Sequence, residues 1–174
     1  MSASTGEPIH ETGVMKINKK DFDQETLEDS LRVDSLCQDL LRRFYDALLE
    51  EGMPPEEATF MASGADYFIR DFVVDNRVLN IFDERPGLVR QFAGNWYIVN
   101  TIEPDIAQLG RHLAGVLSFY RYLHNRKLIS ASFLRRVEQE CGDLPFYESR
   151  IESFWAIKGD GYVAWEKSCS LKDD

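Results

Sequence analysis

The chain has 174 residues, 44% hydrophobic and 12% aromatic, with 20 basic against 30 acidic side chains, a net charge of −10 and a pI near 4.8. This length and apolar fraction suit one folded core, and the longest apolar runs fall far short of the ~20 residues that cross a bilayer. The acidic balance opposes long-range attraction to nucleic acid and anionic membranes, although screening over roughly 8 Å leaves room for a local basic patch.

Residues 1–28 are polar, contain Gly6, Pro8 and Gly13, show no sustained period, and read as a mobile tail. They lack the hydrophobic centre of a secretory signal, which makes a cytoplasmic location the expectation. Ser30 or Asp29 is the expected cap of a first helix running to about Glu51, with Leu36, Leu40, Leu41, Phe44, Ala47 and Leu48 at helical intervals and Gly52 as its stop. Pro54-Pro55-Glu56-Glu57 starts a second helix, in which Phe60, Met61, Ala65, Phe68, Ile69, Phe72 and Val73 form the inward stripe and Asp66, Arg70, Asp71 and Asp75 a solvated face. Pro86 and Gly87 break the pattern, and Leu88, Val89, Phe92, Trp96 and Tyr97 give an aromatic-rich third helix to about Asn100.

The fourth segment, Asp105 to Lys127, is the one around which the chain is organised. Ile106, Leu109, Leu113, Val116, Leu117, Tyr120 and Leu123 recur at spacings of three and four and predict an apolar stripe. Gln108, Arg111, Gly115, Ser118, Tyr122, Asn125 and Arg126 share the opposite side, where hydrogen-bonding groups and small residues suit docking. Residues 106–137 also hold six basic side chains (Arg111, Arg121, Arg126, Lys127, Arg135 and Arg136) and no Asp or Glu, a basic island in an acidic protein.

Ser130-Ala131-Ser132 restarts the chain in a fifth helix lined by Phe133, Leu134, Val137 and Cys141 and ending at Gly142. Leu144 to Trp155 reads as a sixth, packing through Phe146, Tyr147, Ile151, Phe154 and Trp155. Lys158-Gly159-Asp160-Gly161 is turn chemistry, and residues 155–157 with 162–165 are compatible with a short hairpin. The resulting expectation is an all-α, orthogonal bundle of four to six helices, with residues 1–28 as tail, 29–157 as the helical domain and 158–174 as turn or hairpin and tail.

Catalytic signatures are missing. No phosphate-binding glycine loop, nucleophile elbow, zinc-protease helix or EF-hand spacing occurs. Cys37, Cys141 and Cys169 are odd in number and far apart, and His10, His112 and His124 combine with neither cysteines nor carboxylates at zinc-like spacing, so no disulfide framework, metal or cofactor is expected. Thirty acids are read first as solvated surface, and a histidine flanking an apolar stripe first as a packed, hydrogen-bonded side chain.

The segment RHLAGVLSFYRYLHNRKLI, Arg111 to Ile129, resembles the last large helix of the N-terminal core-binding, SAM-like domain of tyrosine recombinases and phage integrases. Leu40 to Val73 resembles that domain's opening helix, junction and second helix, and Leu88 to Ile98 its third, so the comparison covers residues 40 to 129. The most telling positions are Arg111, His112, Leu113, Leu117, Ser118, Phe119, Tyr120, Arg121, Tyr122 and Leu123. The resemblance implies a four-helix domain that clamps duplex DNA. After Ile129 there is no HxxR motif, and Tyr147 and Tyr162 lack the arginine and histidine companions of a strand-transfer tyrosine. The expectation is a non-catalytic domain that binds duplex DNA, or supports a DNA complex, through Arg111, His112, Ser118, Arg121, Tyr122, Arg126, Lys127, Arg135 and Arg136. The rival expectation is a protein-interaction module on the same scaffold that has lost DNA binding.

Overall fold

The computed structural model describes residues 16–170; the expected tail residues 1–15 and 171–174 lie outside them. Among the described residues there are seven helices and no strand. We label them α1 (Leu27–Glu50), α2 (Pro55–Asp66, continuing as a π-helix over Tyr67–Asn76), α3 (Leu88–Gln91, a π-helical stretch Phe92–Trp96, then Tyr97–Asn100), α4 (Ile106–Asn125), α5 (Ala131–Gly142), α6 (Leu144–Trp155) and α7 (Tyr162–Lys167). The expected all-helical class stands, with one helix more than the upper bound of six.

Residues 16–28, expected to belong to the tail, are structured. A 3-10 turn at Lys19–Phe22 buries Phe22 edge-on against Phe82. The cap of α1 is Thr26, not Ser30 or Asp29. Its hydroxyl accepts from the Asp29 amide while the Asp29 carboxylate accepts from the Thr26 amide, a reciprocal capping box that satisfies two otherwise orphaned donors. At the other end Gly52 takes φ +94, with the Gly52 amide donating to Leu49 O and the Met53 amide to Leu48 O. This left-handed closure is natural for glycine. The same closure ends α4 on Lys127 at φ +59, where a side chain is tolerated only at a steric cost.

Helix α4 runs through the middle of the bundle. Leu109, Leu113, Val116, Tyr120 and Leu123 are buried as their spacing predicts, but so are Gly115, Phe119 and Tyr122. Gly115, expected on a free docking side, instead meets α2. A Cβ there would collide with the Met61 carbonyl oxygen, and one on Gly64 would sit 2.9 Å from the His112 carbonyl oxygen. The small residues therefore bring two backbones of this same chain together. Along α4, Ala107, Gln108, Arg111, Ala114, Arg121 and Asn125 remain exposed, with Ser118 partly so.

The π-helical turns of α2 and α3 face each other across an aromatic cluster. Tyr67 and Phe72 pack on Phe92 and Trp96, and Phe68 meets Phe92 and Tyr120. Phe60 departs from the expected inward stripe and is 64% exposed. Residues 162–165 form helix rather than hairpin, because Tyr162, Trp165 and Cys169 recur at helical intervals and Trp165 and Cys169 turn inward. Arg150, only 6% exposed and without a carboxylate partner among the described residues, holds this end down: it donates to Gly94 O, Ser168 Oγ and Trp165 O, with its guanidinium 3.9 Å from the Trp165 ring centre. Buried Asn95 adds a bond to Glu166 O.

Candidate nucleic-acid interface

The exposed face of α4 follows from helix geometry. Arg111, Ala114, Ser118, Arg121 and Asn125 recur at intervals of three and four and form one strip, while the residues between them turn toward the core. At 1.5 Å per residue the strip spans about 21 Å. Past Asn125, the turn of residues 126–130 carries exposed Arg126 and Lys127, and α5 adds exposed Arg135 and Arg136. The start of α5 is fixed by Ser130, whose hydroxyl accepts from the Phe133 amide; Glu84 in turn accepts from the Ser130 amide at 2.7 Å and from its hydroxyl at 2.9 Å.

The six cations of the island differ in their surroundings. Arg121 is paired, its Nη2 lying 3.4 Å from Glu138 Oε1. Arg111, Arg126, Lys127, Arg135 and Arg136 make no ion pair among the described residues. Arg126 lies over the Tyr122 ring, 4.1 Å from its centre. Arg135 and Arg136 line a hollow with Ser132, Gln139, Gly87 and Arg90. Its wall includes Glu140, which accepts the Arg90 amide at 3.0 Å; burial pushes the Glu140 carboxyl up, opposed by the amides it accepts.

Two predicted site residues lie off this surface. Tyr122 is 6% exposed and packs against Phe44 and Phe119. Its buried hydroxyl meets no partner at hydrogen-bond geometry, and burial raises its pKa against the opposing pull of Arg126 and Arg43. His112 is half-buried, with its ring 5.1 Å from that of Tyr67 and 5.8 Å from that of Tyr97. Burial lowers its pKa, and neighbouring Arg111 lowers it further, so the neutral imidazole is favoured. Two further exposed arginines that sequence reasoning did not single out adjoin this surface: Arg43 of α1, close enough to act on the Tyr122 hydroxyl, and Arg90 of α3, which lines the hollow of Arg135 and Arg136 with its guanidinium over Phe146. They come from distant helices, and no local signal connects them to the island.

The exposed strip offers positive charge and hydrogen-bonding groups. Burial pushes the Cys37 and Cys141 thiols up to about 12, which keeps both protonated and inert near neutrality. Among the described residues no group of three or more His, Cys, Asp or Glu side chains could hold a metal ion, and no helix is long and apolar enough to cross a membrane. No protein-family model, curated protein or solved structure matches the chain.

Proposed function

We propose that this chain is a non-catalytic domain that binds the phosphate backbone of duplex DNA through the exposed strip of α4 and its continuation into α5, on a bundle of the SAM-like core-binding type. The observation that carries this reading is the local charge balance. Five cations without an ion pair among the described residues, Arg111, Arg126, Lys127, Arg135 and Arg136, lie on the exposed surface of a 32-residue stretch without a carboxylate; just beyond it Glu138 pairs with Arg121, and half-buried Glu140, which accepts backbone amides, stands beside Arg136. The order of α1 to α4 and the small residues on the strip, Ala114 and Ser118, are in keeping with close approach to a duplex. Phosphate contacts would supply the affinity, and the aromatic residues of α4 would serve the core rather than base recognition.

Fluorescence anisotropy with a duplex across a salt series tests this. Engagement of about five phosphates gives a slope of log K against log salt of roughly −4 to −5. A flat dependence, or no binding at low salt, removes the reading.

A protein-interaction module is favoured by a different feature: Leu27 and Leu31, one turn apart on α1, are 79% and 67% exposed amid acidic neighbours. A stable complex that survives nuclease treatment and is lost in Leu27→Ser/Leu31→Ser would select that reading.

A further inference from the structure

A separate hollow opens beside His112, where the two π-helical stretches meet the start of α4. Tyr67 is the first residue of the ten-residue π-helix, and Tyr97 directly follows the five-residue one. Wide π turns frequently occur at functional sites. The hollow, of about 590 Å³, lies within the roughly 300–1,000 Å³ range of small-ligand sites.

Its walls and rim have distinct chemistries. The part-exposed rings of Tyr67 and His112 provide the aromatic walls, with the buried Tyr97 ring beneath them. The imidazole nitrogens bond to no protein group among the described residues, which leaves one donor and one acceptor for a ligand when the ring is neutral. At the rim, the Tyr97 hydroxyl lies between Asp105 O at 3.2 Å and Gln108 Oε1 at 3.1 Å, which turns the Gln108 oxygen toward it and leaves the Gln108 NH2 to donate. Asn100 spends its own NH2 on Trp96 O at 2.8 Å, leaving its Oδ1 to accept. Glu103 adds an exposed carboxylate, and no Lys or Arg lines the hollow.

Aromatic faces with a side-chain donor and acceptor at the edge suit a flat, uncharged ring that carries alternating donors and acceptors. Carboxamides read such edges in nucleobases, and aromatic side chains stack on their faces. With a carboxylate at the rim and no lining cation, a phosphate is repelled rather than held. We propose that the hollow beside His112 is a binding site for an uncharged nucleobase or its nucleoside. It is independent of the DNA-backbone reading, because none of Arg126, Lys127, Arg135 and Arg136 lines it.

The test is a titration of the full chain with adenosine, guanosine, cytidine and uridine, following the ring signals of His112 by NMR after assignment with His112→Gln. At least one nucleoside should shift them saturably by millimolar concentration, and its 5′-monophosphate should bind more weakly. Gln108→Ala, at an exposed position, should weaken binding about threefold to tenfold, the range for one lost hydrogen bond, with the melting curve little changed because the Tyr97 hydroxyl keeps Asp105 O as acceptor at 3.2 Å. A short single-stranded oligonucleotide separates the two sources of this chemistry: tighter binding than the nucleoside identifies an unstacked base of a strand, weaker binding a free nucleoside. Absence of a saturable shift with every nucleoside and the oligonucleotide overturns the proposal, as does binding that Gln108→Ala leaves intact.

Discussion

The α1–α2 and α4–α5 regions treat their cations in opposite ways. Residues 27–76 hold twelve Asp or Glu and four Arg. Three of these arginines are engaged: Arg32 with Asp29, Arg42 with Asp39, and Arg70 with both Asp34 and Asp66. Residues 106–137 hold six cations and no acid, and among the described residues only Arg121 is paired. A net charge of −10 thus describes neither region. At physiological salt, where fields of exposed charges fade over roughly 8 Å, a ligand at the α4 strip responds to its local cations more than to the acids of α1. The two regions are joined at the Gly64–Gly115 crossing, so their separation depends on a contact that only small residues permit.

Breaking that junction should have the largest effect. Gly115→Ala places a methyl group against the Met61 carbonyl oxygen, a backbone atom that cannot rotate away, and should cost about 3 kcal/mol of stability, the upper end for overpacking. Gly142→Ala, where a Cβ meets nothing within 4 Å, is the control and should change urea unfolding little. Equal losses from the two variants would show that the crossing is not a tight one.

The engaged cation of the acidic region comes next. Arg70→Ala strands two carboxylates at once and should cost about 1 kcal/mol. Its hydrogen bond holds the Asp34 carboxyl below the ordinary value of 3.8, with burial opposing. A depressed carboxylate stabilises the fold above the unfolded-state value and loses that contribution as pH falls through the folded value. The stability difference between wild type and Arg70→Ala should therefore shrink on acidification below about pH 4. A difference that holds constant across that window would assign the loss to packing rather than charge.

Lys127→Gly should act in the opposite direction. Relief of the left-handed backbone at φ +59 outweighs the greater freedom of glycine in the unfolded chain, for a gain of roughly 0.5–1 kcal/mol, while one phosphate contact is lost. The thermal midpoint should rise as DNA affinity falls. The smallest effect belongs to Arg121→Ala, since an exposed pair at 3.4 Å contributes less than about 0.5 kcal/mol. A loss as large as that for Arg70→Ala would remove the contrast between the two regions.

Much of this architecture is written in local pattern. Helical spacing located α1 through α6, and Gly52, Asp105 and Ser130 marked ends that the backbone adopts. Local pattern failed where a second neighbour intervened. Periodicity assigns a helix one buried stripe, but α4 also meets α2 through Gly115 and α1 through Tyr122, which packs on Phe44, so both residues became interior. Near the C-terminus, Gly159-Asp160-Gly161 between aromatic residues resembled a hairpin, although Tyr162, Trp165 and Cys169 already carried a helical interval. The absence of acids within residues 106–137 was legible as composition, but the approach of Glu84, Glu138 and Glu140 to that surface was not. The pairing of Arg121 with Glu138 and the contribution of Arg43 and Arg90 depended on tertiary placement, which no local window contains.

The most direct test of the central claim is charge reversal on the strip, Arg111→Glu with Arg126→Glu, measured by anisotropy against duplex DNA at fixed low salt beside Arg32→Glu/Arg42→Glu on α1. The α4 pair should weaken binding by at least about tenfold and flatten the salt slope by roughly two phosphate contacts, while the α1 pair, already engaged by aspartates, should have little effect. Unchanged affinity in the α4 variant, or equal losses in both, would contradict that claim.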